Sequence, residues 1–182
     1  MTRPATAMLL SAVLLASGAG CQTQTITSDG RPLPPRPNAA PEAPVDAVPT
    51  RMLMFVGQRA DDSDGNGFPD LLRASVGLFA AEYDLAIARR GTFTFALYAL
   101  GEFGQPGAEP IRQWTFDAEA SAPLIGTKPW GQGYDVTLSL LEAGSDRLPP
   151  QTVDLRASFV DEATGRRATV SNEPRTFRIG AR

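Results

Sequence analysis

The chain has 182 residues, with 17 basic and 20 acidic side chains and a net charge of −3, and it has no basic run that would indicate nucleic-acid binding. It contains no histidine and one cysteine, which excludes Ser–His and Cys–His catalysis, histidine-bound zinc or iron, and an intrachain disulfide. Acidic residues for glycoside hydrolysis are present, but their spacing selects no pair. We therefore expect no enzyme activity and no catalytic residue.

The first twenty residues have the pattern of a cleaved signal peptide. Arg3 precedes an apolar run from Met8 to Ala16, and small residues follow it. The apolar run is about nine residues long, whereas a membrane-spanning helix needs roughly 20. We expect residues 1–20 to be removed on export, which would leave a mature chain with a net charge of −4 because Arg3 is lost.

Cys21, the single cysteine, follows Ala19 and Gly20. These residues resemble the bacterial lipobox, in which small residues precede a cysteine that receives lipid after cleavage by signal peptidase II. Gly18 departs from that pattern, because the family usually has Leu there. The resemblance implies palmitate-type acylation of Cys21 and a membrane anchor. The alternative is an ordinary secreted protein with a cysteine in its signal region.

The residue after Cys21 bears on the compartment. Gln22 stands there instead of an acidic residue. In lipoproteins of diderm bacteria, a non-acidic residue at this position resembles the signal that directs the protein to the outer membrane. The expected location is therefore the cell envelope, at the periplasmic face of the outer membrane or at the cell surface.

Residues 21–50 have the composition of a tether. They contain little periodic apolar sequence, and proline favours extended polyproline II, which cannot build a core. The prolines are Pro32, Pro34, Pro35, Pro37, Pro41, Pro44 and Pro49. We predict that residues 21–50 form a disordered, proline-rich tether and that residues 51–182 form the folded domain.

Alternation of apolar and polar residues predicts strands throughout residues 51–182. It is clearest in three segments: Thr92–Leu97, Tyr134–Leu140 and Val153–Phe159. Shorter candidates are Met52–Val56, Leu71–Phe79, Ile111–Phe116, Ala168–Ser171 and Thr176–Ile179, and residues 161–165 are predicted to join two strands as a hairpin. Residues 80–90 fit either a short helix or an irregular crossover.

Seven or eight short strands without intervening helices predict an all-β fold, an immunoglobulin-like antiparallel β-sandwich. The inward positions of the strands should form its core. The predicted core residues are Phe55, Leu72, Val76, Leu78, Phe93, Phe95, Leu97, Trp114, Phe116, Val136, Leu138, Leu140, Leu155, Phe159 and Phe177.

An acidic loop precedes the second strand. Its oxygen-bearing side chains alternate and are followed by glycine, which is a pattern that can wrap around Ca²⁺. The candidate ligands are Asp62, Asp64, Asn66, the carbonyl of Phe68, and Asp70. The segment resembles the calcium loops of EF-hands, dockerins and thrombospondin type 3 repeats, but Arg73 stands where an EF-hand has its bidentate Glu. A weak calcium site and a metal-free turn both fit this sequence.

Several motifs extend a resemblance over most of residues 51–182. They are Asp64-Gly65-Asn66-Gly67-Phe68-Pro69-Asp70, Gly91-Thr92-Phe93-Thr94-Phe95, Gly131-Gln132-Gly133-Tyr134 and Asp146-Arg147-Leu148-Pro149-Pro150. Together they look like uncharacterised envelope lipoproteins of planctomycete-type bacteria. The resemblance implies an envelope location and no established activity.

One aromatic residue is a candidate ligand contact. Trp130 lies between Pro129 and Gly131 in a loop, with Tyr134 nearby, so its ring could stack on a sugar or fold back to cap the sandwich. Two functions therefore remain open: a structural or interaction lipoprotein that docks an envelope protein, for example by strand addition, and a carbohydrate-binding module that faces polysaccharide. Neither needs a cofactor, although Ca²⁺ could stabilise the domain.

Overall fold

The structure, a computed structural model, describes residue 30 and residues 42–57, 59–171 and 175–180. The predicted signal peptide, Cys21 and all of the tether up to residue 41 except Gly30 therefore lie outside the described residues. From residue 42 onward, the described residues belong to one compact unit, Pro41–Arg182. No helix among them is long and apolar enough to cross a membrane.

The described residues form nine strands, one short α-helix and one 3₁₀ helix. The strands are β1 (Pro49–Val56), β2 (Leu71–Ala80), β3 (Gly91–Ala99), β4 (Arg112–Phe116), β5 (Ile125–Lys128), β6 (Gly131–Ser139), β7 (Gln151–Asp161), β8 (Arg167–Thr169) and β9 (Arg175–Ile179). Between β4 and β5 lie helix α1 (Ala118–Ser121) and a 3₁₀ helix (Ala122–Leu124).

The strands form two antiparallel sheets. The first sheet has the order β1-β2-β6-β5, and the second has the order β4-β3-β7, with β8 and β9 both paired to the far side of β7. This order corresponds to the A-B-E-D and C-F-G sheets of an immunoglobulin-like sandwich, with β4 added beside the C strand. The predicted fold class is confirmed.

Alternation in the sequence explains which side of each strand faces inward. In β3, Phe93, Phe95 and Leu97 are buried, while Thr94 and Ala96 between them face outward. The same pattern in β6 and β7 places a second and third row of apolar side chains between the sheets. The predicted core is confirmed at thirteen positions: Leu72, Val76, Leu78, Phe93, Phe95, Leu97, Trp114, Val136, Leu138, Leu140, Leu155, Phe159 and Phe177.

Phe55 was wrongly assigned to the core. Its side chain is 46% exposed, because Met52 and Met54 occupy the inward positions of β1 and the period of two then turns Phe55 outward. Phe116, another predicted core residue, is only partly buried and packs against the core from β4. The interior therefore contains Met52 and Met54, whereas the predicted core contains no methionine.

The ordered unit begins before residue 51. Strand β1 starts at Pro49, and Ala47 is buried. The Arg89 guanidinium fixes this segment, because its Nε donates to the Ala47 carbonyl at 2.7 Å. The ordered segment therefore includes residues 47–50, the last residues of the predicted tether.

Residues 81–90 form an irregular crossover from the first sheet to the second, not a helix. Ile87 donates its N–H to the Leu78 carbonyl at 2.8 Å, and Ala86 exchanges backbone hydrogen bonds with residues 130 and 132. The crossover therefore runs along the first sheet and fixes the position of residue 130. The hairpin predicted at residues 161–165 is present between β7 and β8, with Gly165 at φ 66° donating to the Asp161 carbonyl.

Candidate functional site

The acidic loop joins β1 to β2, and backbone hydrogen bonds close its base. Asp61 donates its N–H to the Leu71 carbonyl at 2.9 Å and accepts from the N–H groups of Asp70 and Leu71. Within the loop, the Asp62 carboxylate accepts from three backbone N–H groups, those of Gly65, Asn66 and Gly67. Asp62 therefore holds the turn in the same way as side chains that cap turns do.

Two buried carboxylates hold the loop, one from within it and one from another part of the domain. Asp70 is 1% exposed, and its two oxygens accept from the N–H and the hydroxyl of Ser63 at 2.6 and 2.5 Å. Asp146 is 4% exposed and accepts from Asn66 Nδ2 at 2.7 Å. The sequence does not single out Asp146, because Asp146 lies 80 residues from Asn66 in the chain and no local pattern connects them.

The predicted calcium ligands Asp62, Asp64, Asn66, Phe68 and Asp70 thus lie in one loop, with Asp146 beside it. In the described part of the chain, no three acidic or cysteine side chains come together as a metal site would require. The carboxylates of Asp62 and Asp70 instead face the loop's own donors. The loop has a clear structural role, and calcium binding stays a prediction.

Trp130 lies across the outer face of the first sheet. Its ring covers Gly77 and Gly133, which pair with each other across β2 and β6. A β-carbon on Gly77 would come within 2.6 Å of the ring, so the two glycines provide the space that it occupies. An aromatic ring over paired glycines replaces the side-chain contacts that they lack.

Two further aromatic rings flank Trp130 on this face. The Phe55 ring centroid lies 6.0 Å away and the Phe79 centroid 6.4 Å away, and the Arg51 guanidinium lies 5.9 Å from the Phe79 centroid. We call these four residues the aromatic patch. Phe79 is buried, whereas Trp130 is half-buried and Phe55 is exposed. Trp130 therefore caps the sheet and still presents part of its ring to solvent.

Tyr134, the other predicted ligand contact, does not reach the surface. It is completely buried, and its hydroxyl donates to the Arg89 carbonyl and accepts from the Arg89 N–H, both at 2.7 Å. Burial raises the pKa of this hydroxyl. Because Tyr134 occupies an inward position of β6 and its polar atom is satisfied inside the domain, we correct its role to a structural one.

No protein-family model matches the chain, and no curated protein or solved structure is significantly similar to it. The resemblances to envelope lipoproteins and to calcium loops therefore rest on the quoted sequence motifs alone. The geometry of the loop and of the aromatic patch is what bears on their function.

The packing of Trp130 predicts how accessible the two tryptophans are. Trp114 is buried and donates its Nε1–H to the Ser139 carbonyl, so acrylamide should quench Trp130 and spare Trp114. Gly133→Ala should lift the Trp130 ring, increase quenching, and lower the free energy of unfolding by about 1–3 kcal/mol because the site becomes overpacked. Both quantities are measured on the full-length chain by fluorescence and urea unfolding.

Gly126→Ala is the matched control for this experiment. Gly126 lies in the same sheet, and the nearest atom to an added β-carbon is 3.8 Å away, so quenching should not change. Equal quenching of wild type and Gly133→Ala would mean that the glycine pair does not position Trp130.

Proposed function

We propose that the chain is a membrane-anchored envelope lipoprotein whose β-sandwich serves as a structural or interaction domain. The observation that carries the interaction role is the aromatic patch, which leaves Phe55 46% exposed beside the half-buried Trp130. Large aromatic residues are enriched at protein–protein interfaces and contribute strongly to their binding energy. The anchoring role is supported by Cys21, the only cysteine, which follows the small residues of a signal peptide pattern.

The surface beside the patch supports contact with a macromolecule. A depression of about 610 Å³ adjoins Phe55 on the outer face of the first sheet. Its far side carries polar side chains of β2 and β6, where Ser75 donates to Asp135, which also pairs with Lys128. An exposed aromatic ring beside a satisfied polar rim is the usual composition of an interface.

The faces of the sheets fit docking better than their edges do. At the free edge of β1, the Met52 carbonyl already accepts from the Ser171 N–H, and the Met54 carbonyl accepts from Arg175 Nε. At the other edge of this sheet, β5 is only four residues long and is followed by Pro129. Short or covered edges resist pairing with another chain, so we place the interaction on the aromatic patch rather than on strand addition.

Recognition of polysaccharide by the aromatic patch is the second candidate function. It is favoured by the partly exposed ring of Trp130, since aromatic rings stack on sugar rings, and by the flanking Phe55. Tyr134 no longer contributes to this candidate, because it is buried.

Anchoring is tested by changing the cysteine. The full-length chain, expressed in a diderm bacterium, should be found with the outer membrane and should incorporate labelled palmitate. Cys21→Ser should abolish the labelling and release the chain into the soluble periplasmic fraction, because lipid chains provide the anchoring energy. Recovery of unlabelled wild-type chain in the soluble fraction would support an ordinary secreted protein instead.

Docking is tested by changing Phe55. Chemical crosslinking of the full-length chain in intact cells should give a discrete protein adduct that Phe55→Ser weakens several-fold, because truncating an interface aromatic commonly costs more than 1 kcal/mol. Leu100→Ser, which changes another exposed apolar residue, is the control and should preserve the adduct. Binding of purified chain to isolated envelope polysaccharide, with a change in Trp130 fluorescence and no adduct, would favour the second candidate.

Weak calcium binding is a further part of the proposal. It is supported by the side chains of the acidic loop, which lie beside the buried Asp146. Millimolar calcium should raise Tm by a few degrees relative to EDTA, because a ligand at about tenfold its Kd adds roughly 1.4 kcal/mol to native stability. The double change of Asp64 and Asn66 to Ala should abolish the shift. Equal melting with calcium and EDTA would leave the loop as a metal-free turn.

A further inference from the structure

A second depression, which we call the polar depression, lies on the outer face of the second sheet. It has a volume of about 470 Å³, within the roughly 300–1,000 Å³ typical of small-molecule sites. Its floor is the outer face of β3, β4, β7 and β8, and Phe103 from the β3–β4 loop forms one wall. It is separate from the aromatic patch, which lies on the other sheet.

Short outward side chains in register produce the floor. Thr94 pairs with Ser158 across β3 and β7, and Ser158 pairs with Thr169 across β7 and β8. Neighbouring strands are about 4.8 Å apart, so these three hydroxyls form a row of neutral donors and acceptors at that spacing. Ala96 and Gln113, paired across β3 and β4, continue the floor toward Phe103.

Arg156 is held in place at the side of the depression. Its guanidinium carbon lies 4.3 Å from the Phe103 ring centroid, and Nη2 lies 3.5 Å from Asp154 Oδ2. Its Nε is buried and makes no hydrogen bond within the described residues. A guanidinium fixed by stacking and by one distant carboxylate oxygen is a pre-organised donor for an anion.

The charge of the lining is the decisive feature. Arg156 and Arg167 both line the depression, and none of the described residues that line it is acidic. Asp154, the ion-pair partner of Arg156, is 3% exposed and offsets one of the two positive charges, although it does not itself line the depression. The depression therefore keeps one net positive charge on a chain with a net charge of −3, which favours a negatively charged ligand.

We propose that the polar depression binds an acidic oligosaccharide, with one sugar carboxylate at Arg156 and another at Arg167, which lie on either side of the hydroxyl row. The row of Thr94, Ser158 and Thr169 would bond the sugar hydroxyls, and Phe103 would contact the apolar side of the ring. Hydroxyl-lined floors suit polyhydroxylated ligands, while a guanidinium suits a carboxylate. This inference does not rest on lipid anchoring or on the aromatic patch.

The test measures binding to the full-length chain, purified in detergent micelles, by isothermal titration calorimetry. The probes are a trisaccharide of galacturonic acid, the neutral trisaccharide of galactose, and acetate. The acidic trisaccharide should bind, and the other two should bind at least about tenfold more weakly, as expected when either the charge-assisted bonds or the hydroxyl contacts are lost. Equal binding of acetate or of the neutral sugar, or no binding of the acidic sugar, would overturn the proposal.

Two variants locate the binding, and one serves as control. Arg167→Gln removes an exposed charge from the lining and should weaken binding roughly tenfold. Ser158→Leu should fill the floor and abolish binding, with a thermal melt showing that the domain still folds. Arg166→Gln changes an exposed neighbour outside the lining and should have no effect. Equal losses for Arg166→Gln and Arg167→Gln would indicate general charge attraction and reject the site.

Discussion

The contact between Phe93 and Tyr134 joins the two sheets, and much of the domain is arranged around it. The Phe93 ring of β3 lies 4.7 Å from the Tyr134 ring of β6 in an edge-to-face arrangement, and 4.6 Å from Phe159 of β7. Such aromatic pairs contribute about 0.5–1.5 kcal/mol beyond the burial of their area. The Tyr134 hydroxyl extends the contact to the segment before β3, because it accepts a hydrogen bond from the Arg89 N–H and donates one to the Arg89 carbonyl. This one cluster of contacts therefore links the register of the strands, the distance between the two sheets and the end of the crossover.

This central contact also determines what the two outer faces can be. Alternation places Phe93, Phe95 and Phe159 in the interior, so the residues between them face outward. Their side chains do not have to fit the packing between the sheets. The outer face of the first sheet carries a glycine pair that is covered by Trp130. The outer face of the second sheet carries short hydroxyl side chains beside Arg156. The same framework therefore presents an aromatic surface on one side and a cationic, polar one on the other.

The sequence predicts the fold well where alternation is long and poorly where contacts are distant. Six or seven alternating residues mark each of β3, β6 and β7, whereas β5 is a four-residue strand without a clear apolar face and is missed. The bulk of Phe55 suggests a core position, but the period of β1 places it outside. The closeness of Tyr134 to Trp130 in the sequence suggests a ligand contact, but Tyr134 shares the inward face of β6 with Val136 and Leu138.

The candidate sites show the same limit. The spacing of Asp62, Asp64 and Asn66 identified a loop that does form, since local side-chain to backbone bonds make a turn of almost any such sequence. Its buried partner Asp146 and the polar depression could not be predicted, because both depend on residues brought together from distant parts of the chain. Sites built from outward positions of several strands leave no local pattern in a single sequence.

The size of the exposed features bears on how an anchored domain could work. One exposed phenylalanine, one half-buried tryptophan and a depression of about 470 Å³ are small, and contacts of this extent are weak when both partners diffuse freely. With the proposed lipid at Cys21 and the predicted tether, for which polyproline II would give roughly 3.1 Å per residue, the domain would instead sample a shell next to the membrane. The resulting effective concentration can reach the millimolar range, and weak contacts on two faces of one domain then reinforce each other. If the chain is anchored as proposed, two modest surfaces would be sufficient for retention at an envelope partner or polysaccharide.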